Sequence, residues 1–435
     1  MRGGRGLTFF LLTICIGCTK FEDASMTERN TFVHFFNSQV NYEGVVAVPD
    51  ADGGYIISGT IRHDNKEPDA LIIKTDARGH KLWEQVISKS TVNDIKPYGN
   101  GYILVGDSVQ YNTGSTGSGL HELENTYARL LLMNAQGAIV DKHTSTGTVR
   151  VGEDTLTIDY HGNAFDFTPN NEVVVLGNYR IPGSRQAAFV SIFNLANISS
   201  PTQSIHSQPF EFDRDLINCN AVHFVQSKVV WASTVRSQEG SLQQDFTGIS
   251  DVPRESVYQN FVPFGNSDTR NYSASDIRRS PVGYCVVGTY SETNGSNGNI
   301  YFLHLSPQLT PLLERYIDGE ELMITNTVLD PTSRTSSRSL DEGLAVVSTS
   351  DGFVIAGTMT TTPAVGNGGK DLLLVKLDAE GNLIWKRLIG GGGDETVSSI
   401  RETADNGLLI CGSNIVNGHS TIMLMKTDRN GNLDN

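Results

Sequence analysis

Apolar residues along most of this chain come in short runs of four or five, set in pairs and separated by polar turns. The first run of each pair stops at a small residue: YIISG at Gly59, YILVG at Gly106, VVVLG at Gly177, VVWAS at Ser233, YCVVG at Gly288, FVIAG at Gly357 and LLICG at Gly412. The second stops at Asp, Asn or Ser: LIIKTD at Asp76, RLLLMN at Asn134, FVSIFN at Asn194, FTGISD at Asp251, YFLHLS at Ser306, LLVKLD at Asp378 and MLMKTD at Asp428. Runs of this length, rich in β-branched and aromatic residues and bounded by turn formers, predict strands. Near-continuous apolarity predicts strands covered on both faces. The small residue suits a place where backbones crowd or the chain bends. The terminal Asp, Asn or Ser suits a turn, because its side chain accepts backbone N–H groups just beyond it.

Two more strands complete each unit. Ahead of the pair lie EGVVAV (43–48), VNDIK (92–96), NAFDF (163–167), NAVHF (220–224), SASDI (273–277), GLAVV (343–347) and VSSIR (397–401). They mix small, polar and apolar residues, as an innermost strand beside a narrow channel requires. Behind the pair, Gly79, Gly381 and Gly431 stand three residues past the terminal Asp, and Trp83 or Trp385 follows in a fourth strand. Seven copies of such a unit predict an all-β repeat fold, a seven-bladed β-propeller of four-stranded antiparallel blades. The last copy runs out at Asn435, where its fourth strand is due, while TFVHFFN (31–37) is a strand without a unit. We therefore expect the N-terminal strand to join the last blade and close the ring, leaving no unfinished sheet. An open solenoid would leave both ends incomplete.

The length of 435 residues alone would suggest two or three domains, but the repeats assign 31–435 to one propeller. Residues 1–17 stand apart. Arg2 and Arg5 precede an apolar stretch over 7–16 that is too short to span a bilayer and reads as a signal peptide. Its end, Cys15-Ile16-Gly17-Cys18, resembles a bacterial lipobox, which implies lipidation of Cys18; an ordinary secretory signal with a chance cysteine is the alternative. Residues 18–30 then form a flexible tether. Its TKFED start resembles the surface-export signal of Bacteroidota lipoproteins, implying an outer-membrane, surface-exposed protein anchored through lipid.

A formal net charge of −15 argues against nucleic acid or a bare anionic membrane surface as partner. Cys219, Cys285 and Cys411 are odd in number beyond the leader, so a fully paired disulfide framework is excluded; they are expected as small buried hydrophobes. The repeat resembles DGGYIVAG…LIKLDxxGNxxW, a pattern of secreted bacterial proteins, best in 52–83, 351–385 and 405–435. The segments 76–83 and 378–385 are also similar to repeats of quinoprotein dehydrogenases and of outer-membrane assembly lipoproteins. Neither resemblance carries over an active site.

The long connections 107–126, 145–160, 318–342 and 358–370 all belong on one face of such a ring, where a rigid scaffold displays recognition loops. Candidate binding residues there are His121, Glu122, Glu124, Arg334, Arg338, Asp341, Glu342 and Lys370, against the plainer reading of solvated loop charges. Asp94, Asp166 and Asp276 lie on innermost strands; channel burial would raise their pKa or let them hold a cation, and solvated lining is the alternative. Residues 50–53 and 428–432 lack the glycine and glutamate spacing of a calcium loop and are expected to be turns. No HExxH, GxSxG or P-loop spacing occurs, so no catalytic residue, metal or cofactor is assigned. The expected function is binding of a protein or glycan at the cell surface. The alternatives are an enzyme acting on extracellular carbohydrate or peptide, and a part of an envelope assembly complex.

Overall fold

The computed structural model describes residues 30–36, 40–64, 66–112, 123–151, 154–206, 214–239, 242–253, 260–265, 270–291, 298–329, 340–361 and 369–433. They form a seven-bladed β-propeller. Blade 1 pairs Asn41–Pro49, Tyr55–Arg62, Asp69–Thr75 and Lys81–Ile87 in chain order, from the axis outward, all antiparallel. Blades 2 to 6 repeat this over 90–144, 159–206, 214–264, 271–317 and 341–389. Blade 7 has only three strands from 394–427, and its outer strand is the N-terminal Phe32–Phe36. The register runs from Phe32 opposite Lys426 to Phe36 opposite Ile422, so head-to-tail closure is as expected.

The hydrophobic interior is divided into seven clusters, each drawing side chains from two adjacent blades. The cluster across the closure unites Ala47, Ile57 and Leu71 of blade 1 with Leu409, Cys411 and Leu424 of blade 7, and Phe36 of the closing strand joins it. Cys219, Cys285 and Cys411 are buried and unpaired in this interior, and burial pushes each thiol up to about 12.

Each inner strand breaks register at a shared place: Gly44/Val46, Val92/Asp94, Gly162/Ala164, Asn220/Val222, Ala274/Asp276, Gly343/Ala345 and Val397/Ser399; the strand of blade 4 has a second break at Leu216/Asn218. A bulge takes backbone groups out of the ladder, and they need other partners. The preceding blade supplies them. Gly44 N donates to Ser413 Oγ (3.0 Å), Gly162 N to Asp107 Oδ1 (2.8 Å), Ala274 N to Thr234 Oγ1 (3.0 Å) and Gly343 N to Thr289 Oγ1 (3.1 Å). Every acceptor directly follows the small residue that closes the apolar run within a second strand. The crowding explains both glycines: a Cβ on Gly44 of the inner strand would stand 2.2 Å from Gly412 O of the preceding blade, and one on Gly412 or Gly288 of the second strand would stand 1.8 Å from Thr396 O or 1.9 Å from Ser273 O.

On the opposite face the third strands of blades 1, 2, 5, 6 and 7 end in tight turns. Asp76, Asp378 and Asp428 each accept two backbone N–H groups, from residues two and four further on, at 2.7–3.0 Å. Gly79, Gly381 and Gly431 take φ of 80°, 80° and 71° in these turns. The outer strand of the blade before covers the turn glycine: Trp385 lies against Gly431, and Trp83 against Gly137. At Gly79 the cover is Phe32 and His34 of the closing strand, and the His34 ring nitrogen meets Arg78 O at 2.9 Å.

The long connections differ from expectation. Strand pairing extends into them, with Gly101–Asn112 against Leu123–Asn134 and Gly352–Thr361 against Gly369–Leu377. Segment 145–160 holds a hairpin, Thr148–Val151 with Asp154–Thr157. Segment 318–342 opens with the helix Gly319–Thr325, capped where Asp318 accepts the Glu321 N–H and closed by Asn326 in the left-handed region. The turns at 50–53 and 428–432 are turns, as expected: Asp52 accepts Gly54 N, and its other contact is Lys74 at 2.7 Å.

Candidate functional site

His121, Glu122, Arg334 and Arg338 lie outside the described residues. Glu124 stands on strand Leu123–Asn134, opposite Tyr111. Asp341 is not the solvated loop charge anticipated: it begins the inner strand of blade 6, is fully buried, and its Oδ2 accepts the Gly319 N–H at 2.7 Å. Glu342 and Lys370 do come together, as a half-buried ion pair at 2.8 Å that also takes the Thr358 hydroxyl on Glu342. Lys370 N is held in turn by Asp394 at 2.9 Å.

The central channel is a cavity of about 220 Å³ bordered by all seven inner strands. Its acids serve the ring. Asp94 accepts Phe165 N and Asp276 accepts Val346 N, both at 3.2 Å and both from the following blade. Asp166, on the same inner strand as the cavity residues Asn163 and Ala164 but not itself lining the cavity, accepts Phe224 N at 2.9 Å; in blade 7, Ser399 does the same for Ala47 N at 3.2 Å. A second set of ties runs the same way. Asn93, Asn163 and Asn220 each donate to a carbonyl ahead of the next bulge, on Gly162, Cys219 and Ala274, at 2.7–2.8 Å.

Each acid is also neutralised: Asp94 by Lys96 (3.2 Å), Asp276 by Arg278 (3.0 Å) and Asp166 by Arg279 (2.7 Å). The raised pKa anticipated for channel acids is overturned at Asp166. Burial does push its carboxyl up, but the His223 hydrogen bond and the Lys96 charge outweigh it and hold the group well below its ordinary 3.8. Arg401 faces the same channel; burial, with Arg278 repelling it, draws its guanidinium down to about 10. Among the described residues, no three His, Cys, Asp or Glu side chains gather as metal ligands.

A larger recess opens on the loop-bearing face. It is a groove of about 670 Å³ where the ends of the outer three strands of blade 2 meet the base of the 148–157 hairpin. Strand alternation puts Ser108 and Gln110, Tyr127 and Arg129, and Lys142 and Thr144 on one side of the sheet. Ser108 stands directly opposite Tyr127, and Arg129 opposite Thr144. Thr146, Gly147, Thr148 and Thr157 complete the wall. Sequence reasoning missed this site because its residues are strand positions. The available sign was the change from apolar to polar on alternate residues as these strands leave the core.

The chain matches no protein-family model and no curated protein sequence. Comparison with solved structures returns propeller proteins at low identity. A Trypanosoma rangeli sialidase aligns over 91% of this chain at 12% identity and a TM-score of 0.42; the chain spans 58% of that protein's length. BBS1N, solved in complex with ARL6DN, aligns over 93% of this chain and 99% of its own at 11% identity and 0.45. A neuraminidase-like protein of A/little yellow-shouldered bat/Guatemala aligns over 90% and 96% at 7% identity and 0.41. The blade count rests on this chain's own strand pairing.

Proposed function

We propose that this propeller is a cell-envelope lipoprotein that binds a glycan or protein through its loop-bearing face. The observation that carries the reading is an asymmetry between two faces of one ring. The hairpin, the helix, the extended strands and the large groove all sit on one side, whereas the described connections of the other side are mostly short hydrogen-bonded turns. The channel acids are each committed to a neighbouring backbone N–H and a cation, which favours binding over carboxylate catalysis in the channel. The closing strand enters from the short-turn side, where Phe32 meets Gly79. An anchor at Cys18 would therefore attach on the short-turn side, opposite the ornamented face.

The test is retention of defined glycans and surface proteins by the full chain in detergent. Replacing 148–157 with a short linker should abolish retention, and changes in the short turns should not. Hydrolysis of the glycans with no retained partner would reverse the reading. Cys18→Ala should move the protein out of the membrane fraction, and unchanged fractionation would remove the anchor from the proposal.

A further inference from the structure

The groove on blade 2 has a chemistry at odds with the rest of the molecule. The chain carries a net charge of −15, yet the ten described residues lining this groove include Arg129 and Lys142 and no carboxylate. The others are hydroxyls (Ser108, Thr144, Thr146, Thr148, Thr157), the amide of Gln110, the phenol of Tyr127 and Gly147. Arg129 is the telling member. It is half-buried, it donates to a neutral hydroxyl, Ser90 Oγ at 2.8 Å, and among the described residues it makes no ion pair. A guanidinium taken partly out of water without a counter-ion costs free energy, which an arriving anion recovers. Burial accordingly draws its pKa below the ordinary value. Elsewhere in the described molecule, Arg62, Arg236, Arg278, Arg279 and Arg429 each have a carboxylate partner, and Arg315, Arg387 and Arg401 donate to backbone carbonyls.

Resting on the binding reading above, we propose that this groove takes an acidic saccharide, its carboxylate between Arg129 and Lys142. The planar fork of arginine matches a carboxylate, while lysine acts as a compact point charge. The row of hydroxyls and the amide suits the alternating donors and acceptors of sugar hydroxyl groups. Tyr127 offers an aromatic face with a polar tip beside them. The size agrees: 670 Å³ lies within the range of about 300–1,000 Å³ usual for small-ligand sites. An acidic peptide fits less well, because none of the lining residues is an aliphatic side chain that could receive an apolar neighbour.

The experiment is calorimetric titration of the full chain in detergent with oligogalacturonate, neutral dextran oligomers and oligoglutamate, at low and high salt. We expect oligogalacturonate to bind, weakening with salt, and the other two to bind at least tenfold more weakly. Lys142→Glu, a change at an exposed site that leaves the core untouched, should lower affinity at least tenfold. Arg129→Gln should do the same, with unchanged thermal unfolding showing that the fold survives. Equal binding of oligoglutamate, absence of oligogalacturonate binding, or binding indifferent to both substitutions would overturn the site. Binding indifferent to both but lost on Lys370→Glu would overturn it and leave the broader reading of the loop-bearing face standing.

Discussion

The repeat motif is explained by pairs of residues whose partners lie some 20 positions away. In DGG…LIIKTD and its relatives, the turn aspartate meets the lysine of the third strand: Asp52 and Lys74 at 2.7 Å, Asp351 and Lys376 at 2.5 Å, Asp405 and Lys426 at 2.9 Å. The three lysines are buried, and a buried ammonium needs such a partner. The Lys376 ammonium holds Asp351 at about 2, below its ordinary 3.8. A carboxyl depressed in the folded state contributes stability above its unfolded value and loses it as pH falls through the folded value. Stability from this pair should therefore be intact above about pH 4 and disappear between about 4 and 2. Denaturant titrations of wild type and Asp351→Asn across that interval should converge at the acid end; parallel curves would exclude the contribution. The glycine contacts give a second test. Gly44→Ala would put a methyl group 2.2 Å from Gly412 O and should cost about 2–4 kcal/mol in urea unfolding. Sequence reading recognised the small residues as a mark of crowding. It passed over the hydroxyl or carboxylate that follows them, because the bond each makes is to another blade: Asp107 reaches Gly162 and Ser413 reaches Gly44.

Among the elements, the closing strand is the one whose role was readable in advance, since a unit lacking its last strand and a strand lacking its unit imply each other. The structure adds why this strand and not another fits: Phe32 and His34 cover Gly79 as tryptophans cover the equivalent glycines elsewhere. Deleting 31–37 should strip Phe36 from the closure core and lower the melting temperature by roughly 5 °C or more. An unchanged scanning-calorimetry midpoint would refute the role. The 148–157 hairpin and the 319–325 helix were not readable. Pairing of Val149 with Leu156 spans four positions per strand, too few for alternation to stand out from a Thr- and Gly-bearing connection. The helix has two turns and depends on Asp318 and on Asp341, which is distant in sequence. The groove escaped for the same reason, because its polar lining only becomes a surface once three strands are side by side.

At the scale of the whole molecule, the channel is a hub through which neighbouring blades are bonded. Asp94, Asp166 and Asp276 invited a functional reading because the backbone N–H groups that donate to them lie about 60 to 70 residues onward, beyond any local pattern. Asp276→Ala should leave the Val346 N–H and the Arg278 guanidinium without this partner and cost about 3–5 kcal/mol, while Asp276→Asn, which still accepts a hydrogen bond, should cost less. Equilibrium urea unfolding distinguishes the two, and equal losses would contradict the assigned role of the carboxylate. The way the first strand is seated has a mechanical consequence. Its Phe32 end lies at the short turns and its Phe36 end toward the opposite face, antiparallel to His419–Thr427. A pull between a held N-terminus and cargo on the far side would slide the five residue pairs lengthwise, loading their hydrogen bonds together in shear instead of peeling them one by one.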